Sequence, residues 1–204
     1  MNKIIVDCLQ GSDNWQSLRI GIPGASCLDQ LVSMKGERSA QRTKLLYRLA
    51  GERLLGRKEE SYSNAAMLRG IELEPVARSV FEMETELDVR EVGFVYHDER
   101  RRYGCSPDGL IGDLSGLEIK CPSLSVHIEY LIGNKLPAAY FQQVMGCMLS
   151  CHASEWYFFS FYPEIKPLCI LVKRDEKFCD LLEKEIETFC EELEETVSKL
   201  RTML

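Results

Sequence analysis

The sequence predicts an α/β fold, a mixed central sheet flanked by helices, within one domain over residues 1–204. Three observations lead there. Short apolar runs such as Ile4-Ile5-Val6, Leu117-Glu118-Ile119 and the aromatic segment from Trp156 to Tyr162 have the length and composition of strands. Residues 40–55, 64–86, 137–150 and 175–200 carry apolar side chains at helical spacing. The 204 residues, 45% of them hydrophobic, suffice for one sizeable core, and the chain has no internal repeat or low-complexity linker.

In order, residues 4–9 are expected as an edge strand or packed arm, with Gly11-Ser12-Asp13 as the turn after it. Trp15, Leu18 and Ile22 start a helical stripe that Gly21, Pro23 and Gly24 interrupt; Ala25-Ser26 opens a second helix carrying Leu28, Leu31 and Val32. Arg19 precedes the break and Ser26 lies at the new N-terminus. Spacing alone reads them as a surface ion-pair partner and an N-cap, although an arginine facing helix amides and a hydroxyl also suits a phosphate group. Residues 35–39 form a loop, and residues 40–55 a helix that buries Leu45, Leu46, Leu49 and Leu55 and ends at Gly56. Asn64 caps the next helix, with a kink or break expected near Glu74 because Pro75 has no backbone N–H. Residues 89–96 alternate as a strand, and residues 97–102 make a charged hairpin turn whose Arg100 to Arg102 suit DNA backbone but more commonly mean a solvated turn.

Further on, residues 125–131 form a short helix, Gly133-Asn134 a turn, and residues 137–150 a helix with Tyr140, Val144, Cys147, Met148 and Cys151 on its inner stripe. Strands at 155–162 and 168–173 supply aromatic core. Asp175 starts a terminal helix with Phe178, Leu181, Leu182, Ile186, Phe189 and Leu193 facing inward.

Charge is unevenly placed. The net value is −7, yet residues 175–204 hold ten acids and four bases, while residues 35–58 hold eight bases and two acids. Affinity for phosphate depends on the local patch. Arg42, Lys44 and Arg48 are therefore candidates for a phosphate-rich partner, although by itself such a segment reads as a solvated helix face. The acidic terminal helix would repel that partner and is expected on the outside. Nine scattered cysteines without a C-x-x-C pair are expected as reduced core residues. No run approaches the ~18 apolar residues of a membrane span, and residues 1–10 are not a signal peptide. The expected location is cytoplasmic.

The stretch that carries chemistry is Cys105-Ser106-Pro107-Asp108-Gly109-Leu110, followed by Leu117-Glu118-Ile119-Lys120-Cys121-Pro122. The turn residues Gly112, Asp113, Ser115 and Gly116 make it a hairpin. Pairing its arms would bring Asp108 level with Glu118. Strand alternation puts Glu118 and Lys120 on one side and Ile119 on the other. Two hard oxygen ligands beside a cation suit Mg²⁺ and a phosphate, although a solvated carboxylate–lysine pair is the commoner meaning of such a pattern.

Together with Asp13-Asn14-Trp15-Gln16-Ser17-Leu18-Arg19-Ile20-Gly21, Met67-Leu68-Arg69-Gly70 through Glu74, and Ala139-Tyr140-Phe141-Gln142-Gln143-Val144, this stretch resembles the lambda exonuclease, or YqaJ-type viral recombinase, family of PD-(D/E)XK nucleases. The resemblance runs from about residue 10 to about residue 175 and implies a restriction-endonuclease-like core. It implies a 5′→3′ exonuclease on double-stranded DNA that leaves 3′ overhangs, using two Mg²⁺ ions, with Mn²⁺ as an alternative. It further implies a ring-shaped homotrimer around DNA, a single-strand annealing protein as partner, and a bacterial host cell. Carried over residue by residue, Asp108, Glu118, Glu74 and the Ile119 carbonyl would hold metal. Lys120 would position or deprotonate the attacking water, or neutralise phosphate charge. Gln143, or its neighbour Gln142, would orient the water or the scissile phosphate. Arg19 and Ser26 would bind the 5′-terminal phosphate.

Other readings share parts of this pattern. An endonuclease of the same fold would use the same Asp108, Glu118 and Lys120. A non-catalytic DNA-end-binding module would need only Arg19 and the basic segment. An iron–sulfur nuclease would need clustered cysteines, whereas Cys169, Cys179 and Cys190 lie ten and eleven apart. A structural interaction protein has only the acidic helix in its favour.

Overall fold

The computed structural model describes residues 2–58 and 65–204. Asn64, expected as a helix cap, lies outside the described residues. The elements are β1 (Ile4–Val6), α1 (Asp13–Leu18), a 3-10 segment (Ala25–Gln30), α2 (Arg42–Leu55), α3 (Ala65–Thr85), β2 (Phe94–Tyr96), β3 (Gly104–Cys105), β4 (Gly109–Ile111), β5 (Ser115–Lys120), α4 (Leu124–Gly133), a 3-10 turn (Ala138–Tyr140), α5 (Phe141–Cys151), β6 (Glu155–Ser160), β7 (Leu168–Lys173) and α6 (Glu176–Arg201).

The strands form two sheets where one central sheet was expected. A three-stranded antiparallel sheet has the order β1-β2-β3, and a four-stranded sheet the order β4-β5-β6-β7. The second is mixed: β5 and β6 run parallel, while β4–β5 and β6–β7 are antiparallel. The break comes from the expected strand at 89–96. Only Phe94–Tyr96 joins a ladder, all three side chains are buried instead of alternating, and Arg90 contributes an isolated bridge to Leu110.

Helix α5 is the centre. Every residue from Val144 to Cys151 is buried, so the expected inner stripe is a helix enclosed all round, as the near-continuous apolar sequence requires. Gly146 is the place where the 3-10 segment approaches: a Cβ there would come 2.2 Å from Leu28 Cδ1. A second, smaller core lies where α3 covers β5 and β6. Here Phe81 meets Tyr157 and Phe159 edge-on at 5.4 Å, beside Leu117 and Ile119. Burying one such ring contributes about 2 kcal/mol.

Three local expectations change. The segment opening at Ala25 is a six-residue 3-10 helix capped by Gly24, not an α-helix. Helix α3 continues without interruption through Pro75; the proline is exposed, so its ring projects to solvent, and the ladder loses one hydrogen bond without ending. In α2, Leu55 is 68% exposed, and the inward positions of that turn are taken by Glu52 and, in part, Leu54. Gly56 ends α2 as expected, with φ +65°, and Asp175 caps α6 by accepting from the Phe178 amide at 3.0 Å.

Candidate active site

The hairpin β4–β5 pairs Gly109 with Leu117 and Leu110 with Gly116. One step further along that register sets Asp108 opposite Glu118. Gly112, at φ +57°, makes the turn. Asp108 Oδ2 accepts from the Ile119 amide at 2.6 Å. Ile119 points its side chain into the small core with Phe159, while Glu118 and Lys120 lie on the opposite side and are hydrogen-bonded to each other. Glu118 is 1% exposed. Its Oε1 takes both the Lys120 ammonium and Gln143 Nε2, the latter at 2.6 Å, while its Oε2 is buried without a partner among the described residues. The Lys120 ammonium also stands 5.0 Å from the centre of the Tyr140 ring.

Gln143 reaches this cluster from the first turn of α5. Its neighbour Gln142 turns into the core and donates to the Val32 carbonyl at 3.3 Å. The two glutamines are thereby separated. Glu74 arrives from α3, where Oε1 accepts from Arg78 Nη2 at 2.7 Å. Among the described residues, no three His, Cys, Asp or Glu side chains stand close enough to hold a metal ion. The structure thus brings Asp108 and Glu118 together, while Arg78 draws the Glu74 carboxylate toward itself. Ile119 is the next-to-last residue of β5 and pairs with Phe159 of β6.

The charges act on one another across this cluster. Burial pushes the Asp108 carboxyl well above the usual range, and the Glu118 and Glu74 carboxylates add to the effect. Burial also raises Glu74, against the pull of Arg78 and Lys120. For Lys120, burial works to depress the ammonium, but Glu118 and Asp108 outweigh it and hold the proton more tightly than usual. A buried excess of carboxylate with an orphaned oxygen is an arrangement that a hard cation relieves.

A second group of residues adjoins the first. The Arg19 guanidinium lies 3.9 Å over the Trp15 ring. The Trp15 indole N–H is shared between the Gly93 carbonyl at 3.0 Å and Ser106 Oγ at 2.9 Å, two residues before Asp108. A parallel bridge between Gly24 and Gly104 ties the same loop to the strand leading into the hairpin. The turn after Arg19 is braced by Glu52: Gly21, at φ +61°, donates to Glu52 Oε2 at 2.9 Å, and its carbonyl accepts from Arg53 Nε at 2.8 Å. Glu52 Oε1 accepts from Arg48 at 3.3 Å. Burial lowers the pKa of both Arg19 and Lys58, and Lys58 is lowered further by Arg19. Cations thus outnumber the one buried carboxylate here. Ser26 is exposed at the second position of the 3-10 segment. It is not the cap, and the short segment offers fewer aligned amides than the expected helix.

The basic segment is not free as a whole. Arg42 is 11% exposed, pairs with Glu192 of α6 and covers the Phe189 ring at 5.2 Å. Arg38 pairs with Glu185 at 2.9 Å and Arg53 with Glu194 at 2.6 Å. On the hairpin between β2 and β3, Arg100 and Arg102 both pair with Glu187. Arg42, expected to face a phosphate partner, is thus turned toward Glu192 in this structure: helices α2 and α6 pack together and neutralise each other. Lys44 stays exposed, and Arg48 is partly exposed beside Glu52.

Sequence reasoning missed Arg78, Glu52 and Lys58. A signal existed for two of them, since Arg78 follows Glu74 by four residues and Glu52 follows Arg48 by four, the spacing at which helical side chains meet.

Residues 14–154 match the profile of the YqaJ-like viral recombinase domain. An alkaline exonuclease, LHK-Exo from Laribacter hongkongensis, superposes with a TM-score of 0.85 at 32% identity, over 94% of this chain and 97% of that one. Its structure in complex with dAMP gives the same TM-score at 33% identity and the same coverage. A phage-related exonuclease from Haemophilus somnus 129PT shares the fold, with a TM-score of 0.68 at 14% identity, over 88% of this chain and 96% of that one. No curated protein matches.

Proposed function

This chain belongs to the YqaJ-like viral recombinase family, and on that premise we propose that it is a PD-(D/E)XK-type deoxyribonuclease. Its reaction is Mg²⁺-dependent 5′→3′ digestion of double-stranded DNA, leaving 3′ overhangs for recombination by single-strand annealing. The observation that carries this reading is the convergence of Lys120 and Gln143 on the buried Glu118 carboxylate, beside Asp108, with Glu118 Oε2 unpartnered among the described residues. The similar exonuclease crystallised with dAMP supports a nucleotide as what the site releases.

The donor set fits a hard divalent ion. Asp108 and Glu118 would hold it with the Ile119 carbonyl, and Glu74, which pairs with Arg78 in this structure, would have to turn from that partner to join them. When bound, such ions supply Lewis-acid charge at the scissile phosphate and lower the pKa of a water. The chain's own residues do the rest. Gln143 orients the water or the phosphate through its amide while it anchors Glu118. Lys120, which holds its proton tightly, neutralises charge on a nonbridging oxygen. Arg19, stacked on Trp15, takes the 5′-phosphate with a bidentate fork, and Ser26 adds a hydroxyl. Ser106 holds the Trp15 indole, which fixes the distance from that phosphate to the hairpin.

From the same resemblance follow a homotrimer encircling the DNA, an annealing protein as partner, and action in the cytoplasm of a bacterial host. Among the described residues no helix is long and apolar enough to cross a membrane.

The test is digestion of end-labelled linear duplexes bearing 5′-phosphate or 5′-hydroxyl ends, in Mg²⁺ and in EDTA. Label should be released from the 5′ strand in Mg²⁺ only, and faster from phosphorylated ends. Equal digestion of both end types would remove the Arg19 pocket and favour an endonuclease of the same fold.

A further inference from the structure

Glu52 joins the Arg19 turn to a cavity whose charge none of the roles above uses. The cavity, of about 410 Å³, is lined by Tyr47, Arg48, Glu52, Leu55, Arg57 and Lys58. Glu52 is its one carboxylate among the described residues, and both oxygens are committed. Oε2 accepts from the amide of Gly21, two residues after Arg19, at 2.9 Å, and Oε1 accepts from Arg48 at 3.3 Å. Elsewhere in the basic segment, Arg38, Arg42 and Arg53 are spent on acids of α6. Arg57 and Lys58 are not, and neither has an ion pair among the described residues. Arg57 is exposed, whereas Lys58 is half-buried, so its charge is partly withdrawn from water. The excess at this cavity is therefore positive, with Arg19 adjoining it.

Recognition of a strand end is a matter of charge. A terminal phosphomonoester carries close to two negative charges at neutral pH, and an internal phosphodiester carries one. A single guanidinium suits either. A second cation held beside the first favours the dianion. We propose that Lys58 is that second cation, binding the 5′-terminal phosphate together with Arg19 and so determining specificity for phosphorylated ends. This rests on the Arg19 pocket proposed above and deepens it. The groups that act on Lys58 are Arg19 at the end of α1, Glu52 and Arg48 of α2, and Cys27 of the 3-10 segment, whose thiol burial pushes up. Burial, and after it Arg19, lower the Lys58 pKa. A bound dianion acts in the opposite sense. Binding of a phosphorylated end should therefore take up protons, and the preference for it should weaken as pH rises.

The experiment is fluorescence-anisotropy titration of the full chain with duplexes bearing 5′-phosphate or 5′-hydroxyl ends, in EDTA so that nothing is cut. It compares the unmutated protein with Lys58→Gln, Lys58→Arg and Arg19→Ala at about pH 7.5 and about pH 9, the latter below the ordinary lysine range. The readout is the ratio of the two Kd values. Lys58→Gln should lower that ratio about tenfold, the scale of one charge-assisted hydrogen bond, and remove its pH dependence. Lys58→Arg should keep the ratio and hold it at the higher pH, because a guanidinium stays charged there. If Lys58→Gln weakens both ends alike, or neither, while Arg19→Ala still loses the preference, the proposal is overturned and the Arg19 pocket stands. If the unmutated protein binds both ends alike or neither, that pocket falls and this inference with it. Should Lys58→Gln not fold by circular dichroism, Lys58→Arg decides: a ratio that still declines with pH as in the unmutated protein overturns the proposal. If neither variant folds, Lys58 is a stability element and the proposal is wrong.

Discussion

At the scale of single residues, Asp108 and Arg19 make the sharpest demands. Burial, and after it Glu118, hold the Asp108 carboxyl well above its ordinary range. The folded chain therefore keeps a proton that the unfolded chain releases. Stability falls as pH rises through the interval between the ordinary carboxylate range and that raised value. Asp108→Asn keeps an oxygen for the Ile119 amide but has no proton to lose. In EDTA it should melt higher than the unmutated protein at about pH 8, with the gain shrinking toward about pH 4; thermal melts across that range check it. Its nuclease activity should fall roughly 10³-fold, the equivalent of several kcal/mol of lost charge stabilisation. Near-normal turnover in this variant would sink the assignment. Arg19→Ala should lose the preference for 5′-phosphorylated ends and digest in shorter runs, with Mn²⁺ affinity intact. Arg19→Lys should restore it in part, because charge remains while the fork is lost. Product-length analysis on both end types distinguishes these outcomes.

Among elements, the pairing of α2 with α6 decides what the basic segment can do. Each strongly charged helix looked solvated when taken alone, and together they form an intramolecular ion-pair seam through Arg38, Arg42 and Arg53. Arg42→Ala is accordingly expected to cost about 1 kcal/mol of stability, the scale of a partly exposed pair, and to leave the salt dependence of DNA binding unaltered. Lys44→Ala and Arg48→Ala should behave in the opposite way. Removing one cation from a DNA phosphate should flatten the slope of log affinity against log salt by about 0.9. Fluorescence titrations at several ionic strengths, alongside denaturant melts, separate the two classes. A flattened slope for Arg42→Ala would mean that the seam opens when DNA binds.

For the whole molecule, the loop that carries Arg19 and the hairpin are fastened to one another. Trp15 bridges to Ser106, Gly24 pairs with Gly104, and Gln10 donates to the Pro107 carbonyl at 2.8 Å. A site built at a fixed distance from a strand end acts on ends. A supercoiled plasmid should therefore resist digestion, while the same plasmid linearised is consumed; agarose electrophoresis shows which. The proposed ring predicts a sedimenting mass of three chains, and one or two chains at micromolar concentration would count against it.

The hairpin is legible in the sequence because it is local: turn glycines, two apolar arms and strand alternation fix the Asp108–Glu118 pairing within eleven residues. Helix spans were legible for the same reason, since periodicity and caps act over a few turns. The long-range parts were not. That Gln143 and not Gln142 reaches Glu118 depends on how α5 is rotated against the 3-10 segment, and adjacent residues on a helix differ by about 100° in direction. The split into two sheets, the α2–α6 seam and the brace from Glu52 to Gly21 all join residues far apart in the chain. The sequence by itself determined which chemistry-bearing groups exist and which local frame carries them. Only the tertiary structure decided which charges face one another, because pairing between distant segments is settled by the packing of the whole core and leaves no periodic trace in either segment.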